Sequence, residues 1–367
     1  MKQITQYIIF GLALTFFNSC TNEYNLNEEG DMLFLKHKGA SMPVLVRGNF
    51  QSDIIILMVH GGAGGTSGVH IEDFNGWIEP EYMVAYWDQR HAGSSQGNMS
   101  KDDLTLDQFA EDMSLVIGML KHKYGEDKKV FAVGHSWGVI LTTYYLLTQE
   151  NKLEGAILSN GSHSTEHEYS ARIDYVHDFA QEMMDKGIDM PNQITAEGNT
   201  FSDLESVVEW TEQNDPIDSW EKLRTLNALV DAVFGYVQET YVRDTSDIPF
   251  PISSEEITYN SPYHPWVSSM NQLRIAQLIN NPTRENSIQE FYDFTPMMDD
   301  IELPISLIWG KYDHIIGPEV AEDYYDVVGT AAEDKELIIL EQSGHSGMYR
   351  ENKKFSESLI QFVEKHR

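Results

Sequence analysis

The chain has 367 residues, 41% of them hydrophobic, enough for a large core in two domains or in one α/β domain with an insert. Its 58 acidic against 25 basic residues give a formal net charge of −33, which excludes nucleic acid as a partner and disfavours docking on anionic lipid, since both need a basic face. A single cysteine, Cys20, excludes an internal disulfide.

At the N-terminus Lys2 precedes the apolar stretch YIIFGLALTFF, which is too short to span a bilayer, where about 20 apolar residues are needed. Ser19 then precedes Cys20. The arrangement resembles a bacterial lipoprotein signal over residues 1–19, cut before Cys20 so that this cysteine is acylated. Residues 20–31, which include the polar run TNEYNLNEEGD, read as a flexible tether. The resemblance implies a lipid-anchored protein of the bacterial cell envelope, held to the membrane through Cys20 alone.

MLFLKHKG and MPVLVRGN read as two strands with a turn between them. DIIILMVH (Asp53–His60) and YMVAYWDQ (Tyr82–Gln89) are continuous apolar runs and so buried strands. In TLDQFAEDMSLVIGMLKHKYG, Phe109, Met113, Val116, Ile117 and Leu120 recur at helical spacing, and Gly125 is the stop. VFAVGHSWG is a strand and turn followed by the helical VILTTYYLL, and LEGAILSNG is the next strand. Strand and helix in this alternation predict a parallel sheet with crossover helices. The rhythm breaks near Ser162: residues 162–296 lack buried-strand runs and hold amphipathic helical stretches such as RIDYVHDFAQEMMDKG and SWEKLRTLNALVDAVFGYVQETY, so they read as an inserted helical cap. LPISLIWG, PEVAEDYYDVV, KELIILEQSGHS and NKKFSESLIQFVEKHR then supply strand, helix, strand and closing helix, so the sheet domain comprises residues 32–161 and 297–367.

The chemistry is concentrated at three strand ends. Gly134, His135, Ser136, Trp137 and Gly138 form G-x-S-x-G between a strand and a helix, where small flanking residues let strand and helix approach and lift the serine hydroxyl above the sheet edge. A serine nucleophile needs a base within hydrogen-bond reach and an acid to orient that base. Asp313 follows ISLIWG and His345 follows ELIIL, so Ser136, Asp313 and His345 stand in the order nucleophile, acid, base. Singly, Asp313 also reads as the cap of a short turn before Pro318, and His345 as a loop histidine. After His60, Gly61–Gly65 (GGAGG) offers unhindered backbone N–H groups, so an oxyanion would take one bond from Trp137 and one from Gly62 or Gly61. No metal or organic cofactor is required, and the substrate is a small peptide or ester.

These motifs resemble the α/β-hydrolase superfamily over nearly the whole mature chain, and within it proline iminopeptidases. HGGAGG is similar to that family's HGGPGG with Ala63 for proline, DQRHAGSS to its DQRGxGxS with His91 for glycine, and GHSWG to its GGSWG with His135 for glycine. The resemblance implies an α/β-hydrolase fold, a mostly parallel central sheet flanked by helices with an inserted helical cap, and release of an N-terminal residue such as proline from short peptides. It further implies acidic cap residues that hold the substrate amine. Trp220-Glu221 is similar to the family's tryptophan–glutamate pair, which would place Glu221 on the ammonium, although a solvated Glu221 beside a lysine is the plainer reading. No counterpart to the family's later cap acids stands out around GYVQETYVRD. Arg90 resembles a family arginine that ties loops together.

Three other readings compete. HSTEH (His163–His167) fits H-x-x-E-H, a zinc pattern that needs both histidines on one helix face and a further acidic ligand, and a loop is expected at this point of the chain. An esterase or lipase-like enzyme would use the same three residues on acyl esters, while Ser136 disfavours relatives with a carboxylate nucleophile. A non-catalytic surface-binding lipoprotein would be expected to lack one of the three.

Overall fold

The computed structural model describes residues 30–97, 103–190, 192–239 and 292–367. The expected signal, Cys20 and nearly all of the tether lie outside them, as do residues 240–291 of the expected cap. No helix among the described residues is long and apolar enough to cross a membrane.

The first two strands, β1 (Asp31–His37) and β2 (Ala40–Gly48), form an antiparallel hairpin turned at Lys38 and Gly39, both at positive φ. Next come β3 (Ile54–Val59), the short α1 (Ile71–Phe74), β4 (Met83–Trp87) and the two-residue β5 (Gln96–Gly97). They are followed by α2 (Leu106–Tyr124), β6 (Lys129–His135), α3 (Trp137–Thr148) and β7 (Gly155–Ser159). The core resumes later with β10 (Ile305–Gly310), α7 (Pro318–Val327), β11 (Lys335–Leu340), α8 (Gly347–Arg350) and α9 (Asn352–His366). Strand order is β1-β2-β4-β3-β6-β7-β10-β11, with β5 on β2. From β4 to β11 every neighbouring pair is parallel. This is the α/β-hydrolase architecture.

The continuous apolar runs follow from burial on both faces. Within β3, Ile55, Leu57 and Val59 pack with α2, α3 and α7, whereas Ile54, Ile56 and Met58 pack with α1 and with Phe355, Leu359 and Phe362 of α9. Thr105 caps α2, its hydroxyl accepting from the Gln108 N–H, and Gly125 ends it at φ 135°.

Between β7 and β10 lie α4 (Thr165–Asp185), β8 (Ile194–Ala196), β9 (Asn199–Phe201), α5 (Leu204–Asn214) and α6 (Trp220–Glu239). Tyr169, Ile173, Val176 and Ala180 form one stripe of α4 and meet Val207, Trp210, Leu223, Leu226 and Val230 in a core separate from those of the sheet. Two features depart from expectation. The β8–β9 hairpin was hidden because its strands are three residues each and largely exposed, and its turn uses Glu197 as well as Gly198 at positive φ. The loop expected at HSTEH is helical from Thr165 onward.

Arg90, after β4, is fully buried against Asp112 of α2, with its Nη2 donating to Oδ1 at 2.9 Å and its Nε to Oδ2. Asp112→Ala would leave the guanidinium buried without its counter-charge, which costs about 3–5 kcal/mol. Urea unfolding should show that loss. A change below about 1 kcal/mol, the size of an exposed pair, contradicts it.

Candidate active site

The strand and helix that flank Ser136 meet almost without a gap. Ser136 joins β6 to α3 at φ 53° and ψ −119°, a conformation that ordinary L-residues rarely adopt. A Cβ on Gly134 would stand 2.7 Å from the Gly138 carbonyl oxygen, and one on Gly138 only 1.9 Å from that of Val59. Both glycines are therefore required for the turn. A side chain at Gly161 would meet Val139 at 2.2 Å, which brings the end of β7 equally close.

The structure brings Ser136, Asp313 and His345 together. The Ser136 Oγ lies 3.1 Å from His345 Nε2, and His345 Nδ1 lies 2.9 Å from Asp313 Oδ2. Asp313, fully buried, serves both of the purposes that its sequence context suggests. Its Oδ1 accepts the N–H groups of Ile315 and Ile316 at 2.9 and 3.0 Å, closing the turn before Pro318. Its Oδ2 accepts from His345 and, at 2.7 Å, from the Asn160 side-chain amide. Burial works against the carboxylate, but His345, the Ile316 N–H and Asn160 outweigh it and hold the pKa below its usual value. An ionised Asp313 can only accept, so the imidazole proton is on Nδ1 and the Nε2 lone pair faces Ser136. For His345, burial again opposes the charged form; Asp313 and then Glu168 overcome it and raise the pKa above 6.5.

The His345 imidazole is held by backbone as well as by Asp313. A Cβ on Gly310 would sit 2.1 Å from the Gly344 carbonyl oxygen, and the Tyr312 N–H donates to Ser343 O at 2.9 Å. His135, which sequence comparison marks only as a replaced glycine, is neutral because burial depresses its pKa to about 3. Its Nε2 donates to the carbonyl of His345 at 2.8 Å. The loop carrying the imidazole is thus bonded to the last residue of the strand that carries the serine.

The GGAGG segment passes beside Ser136: a Cβ on Gly61 would come within 3.1 Å of the Ser136 Cβ, and Gly62 takes φ 73°. The ring of His60 fixes this loop, its Nε2 accepting from the Gln89 N–H at 3.1 Å and its Nδ1 donating to Gly61 O at 2.9 Å. Gln89 in turn accepts from Trp137 Nε1 at 2.9 Å, which binds the loop to the start of α3. Asp88 secures the far side, accepting from the Thr66 hydroxyl at 2.8 Å and the N–H groups of Ser67 and Ser94 at 2.9 and 2.7 Å. As the first residue of α3, Trp137 carries a main-chain N–H with no helical carbonyl one turn before it.

The acids of the insert are distributed differently from the sequence expectation. Glu221 begins α6 with an exposed side chain, and no hydrogen bond or ion pair links it to Ser136, Asp313 or His345; the neighbouring Lys222 pairs with Asp218. Glu168, in the first turn of α4, is 13% exposed and close enough for its charge to act on His345. Arg172 Nη1 is 3.9 Å from it, too far for a hydrogen bond, and its carboxylate receives no hydrogen bond among the described residues. Burial raises the Glu168 pKa to about 7, with Arg172 and His345 opposing. Nothing in the local sequence separates Glu168 from the other acids of the helix. Its closeness to His345 and Asp313 is a product of the tertiary fold. Elsewhere, His163, His167 and Asp323 form the one group of potential metal ligands among the described residues.

The family model described as serine aminopeptidase, S33, matches residues 51–241, just over half of the chain. The chain belongs to the S33 serine aminopeptidase family. Among relatives of this S33 chain, a proline iminopeptidase of Saccharolobus solfataricus is 22% identical over 313 residues, 84% of each chain. The fold also matches a proline iminopeptidase from Mycobacterium smegmatis (TM-score 0.57, 14% identity, 92% of this chain and 98% of that one). It matches an esterase from Exiguobacterium antarcticum about as well (TM-score 0.54, 15% identity, 91% and 99%). The S33 chain is a hydrolase of the α/β type.

Proposed function

We propose that this hydrolase is a serine aminopeptidase that releases N-terminal residues such as proline from short peptides through an acyl-enzyme. The observation that carries the reading is the unbroken relay from the Ser136 hydroxyl through His345 to the buried Asp313. His345 takes the hydroxyl proton as Ser136 attacks the scissile carbonyl, and Asp313 holds the tautomer and stabilises the imidazolium. The N–H groups of Trp137 and of Gly61 or Gly62 receive the oxyanion. The imidazolium then protonates the leaving amine, and the same base activates the water that hydrolyses the ester.

Glu168 favours an amine-bearing substrate over a plain ester. A nearly enclosed carboxylate that has no hydrogen-bond donor among the described residues, and only Arg172 at 3.9 Å, is costly unless a closer cation reaches it, and this one acts electrostatically on His345. An N-terminal ammonium would supply that cation, in the role that family resemblance gives to Glu221. At a pH well above the His345 titration, Glu168→Gln is expected to lower kcat/KM for a prolyl arylamide by roughly 10- to 150-fold, the equivalent of about 1.5–3 kcal/mol for a charged hydrogen bond, while short aryl esters are unaffected. Equal losses on both substrates, or strong ester turnover by the wild type with no arylamide turnover, would overturn the assignment in favour of an esterase.

A further inference from the structure

His163 ends the loop after β7. It is wholly buried, and neither of its ring nitrogens has a hydrogen-bond partner. Its Nε2 lies 3.0 Å from Asp323 Oδ2 without hydrogen-bond alignment. His167, on the first turn of α4, directs Nδ1 at the same carboxylate oxygen. Asp323 comes from α7, beside Tyr324, whose ring meets His163 edge-on at 5.2 Å. The three ligand atoms lie within 4.8 Å of one another.

The geometry points to a zinc-type divalent cation bound by His163 Nε2, His167 Nδ1 and a carboxylate oxygen of Asp323. Two imidazoles and one carboxylate suit zinc, whose bonds of about 2.0–2.2 Å set tetrahedral ligands about 3.3 Å apart. The observed 3.0 Å between His163 and Asp323 needs only a small side-chain rotation to reach that spacing. Calcium and magnesium want more oxygen ligands than this pocket supplies. His167 and Asp323, 38% and 34% exposed, give an entry path and room for a water in the fourth position. Glu166, the acid that the H-x-x-E-H pattern would use, is exposed and outside the cluster. The site therefore keeps that motif's two histidines and further acid, but His163 precedes the helix and Glu166 takes no part. It joins the first helix of the insert to α7 of the sheet domain, one residue before Glu168, and acts as a clamp at that junction. This inference does not depend on the aminopeptidase reading.

The test uses the full chain, purified without a polyhistidine tag and dialysed against cobalt(II). One equivalent of cobalt per chain is expected, with the intense visible bands of four-coordinate cobalt, which zinc bleaches by displacement. Zinc should also raise the Tm. All three effects should be lost in His167→Gln and in Asp323→Asn, and kept in Glu166→Gln and in Ser136→Ala. Absence of uptake, or uptake that survives His167→Gln and Asp323→Asn as an adventitious ion would, overturns the site. Either result leaves the role of Ser136, which turnover reports separately, untouched.

Discussion

Ser136→Ala is expected to lower kcat on an aminoacyl arylamide by about a millionfold while the protein remains folded. The Ser136 hydroxyl forms its one observed hydrogen bond with His345 Nε2, so its loss removes no structural tie of the turn. Gly134, Gly138 and Gly161, which enforce the strained φ of 53°, are unchanged. The residual rate over water would come from the N–H groups of the GGAGG loop and α3 and from substrate positioning. Turnover and labelling by a fluorophosphonate, read beside the circular dichroism spectrum, test this together. A folded variant with full activity ends the case for a serine nucleophile.

Asp313→Asn should cost about 10⁴-fold in kcat at neutral pH. The asparagine oxygen can still accept the N–H groups of Ile315 and Ile316, so the turn survives. Its amide nitrogen would then face two donors, the Asn160 amide and His345 Nδ1–H. The second conflict is relieved by moving the imidazole proton to Nε2, which leaves no lone pair for Ser136. The pH profile separates this from simple misfolding. In the wild type His345 must be neutral to act as base and its pKa is raised, so kcat/KM should climb with pH through a midpoint above 6.5. Without the Asp313 charge that midpoint should move down. A variant within tenfold of the wild type, or one whose midpoint moves up, contradicts the assigned role.

The sheet, Ser136 and Asp313 were legible for one physical reason. Strands buried on both faces must be apolar throughout, and this makes β3, β4, β6, β7 and β10 stand out, together with the residues that follow them. Ser136 directly follows such a run and Asp313 stands three residues beyond one, whereas His345 follows β11, which is only partly buried. Asn160 also follows such a run, in SNG, and takes φ 55°, a signal that was there to be used. Glu168 and His135 were not legible. Each acts through a partner far away in the chain, and helical periodicity does not report which part of the sheet a helix crosses. The cluster around HSTEH was hidden in another way: a loop is expected there, and Asp323, the acid that meets its histidines, stands 156 residues beyond His167.

The bond from His135 to the main chain of His345, with the Gly310–Gly344 contact beneath it, separates two jobs within the molecule. Distances within the proton relay are set by the sheet and its shortest loops, and none of those ties passes through α5, β8 or β9. Insertions or exchanges in those outer elements that leave the α4 stripe packed should therefore leave the relay distances unchanged. Chimaeras that graft a foreign insert beyond α4 start with an intact engine and only a new doorway to optimise.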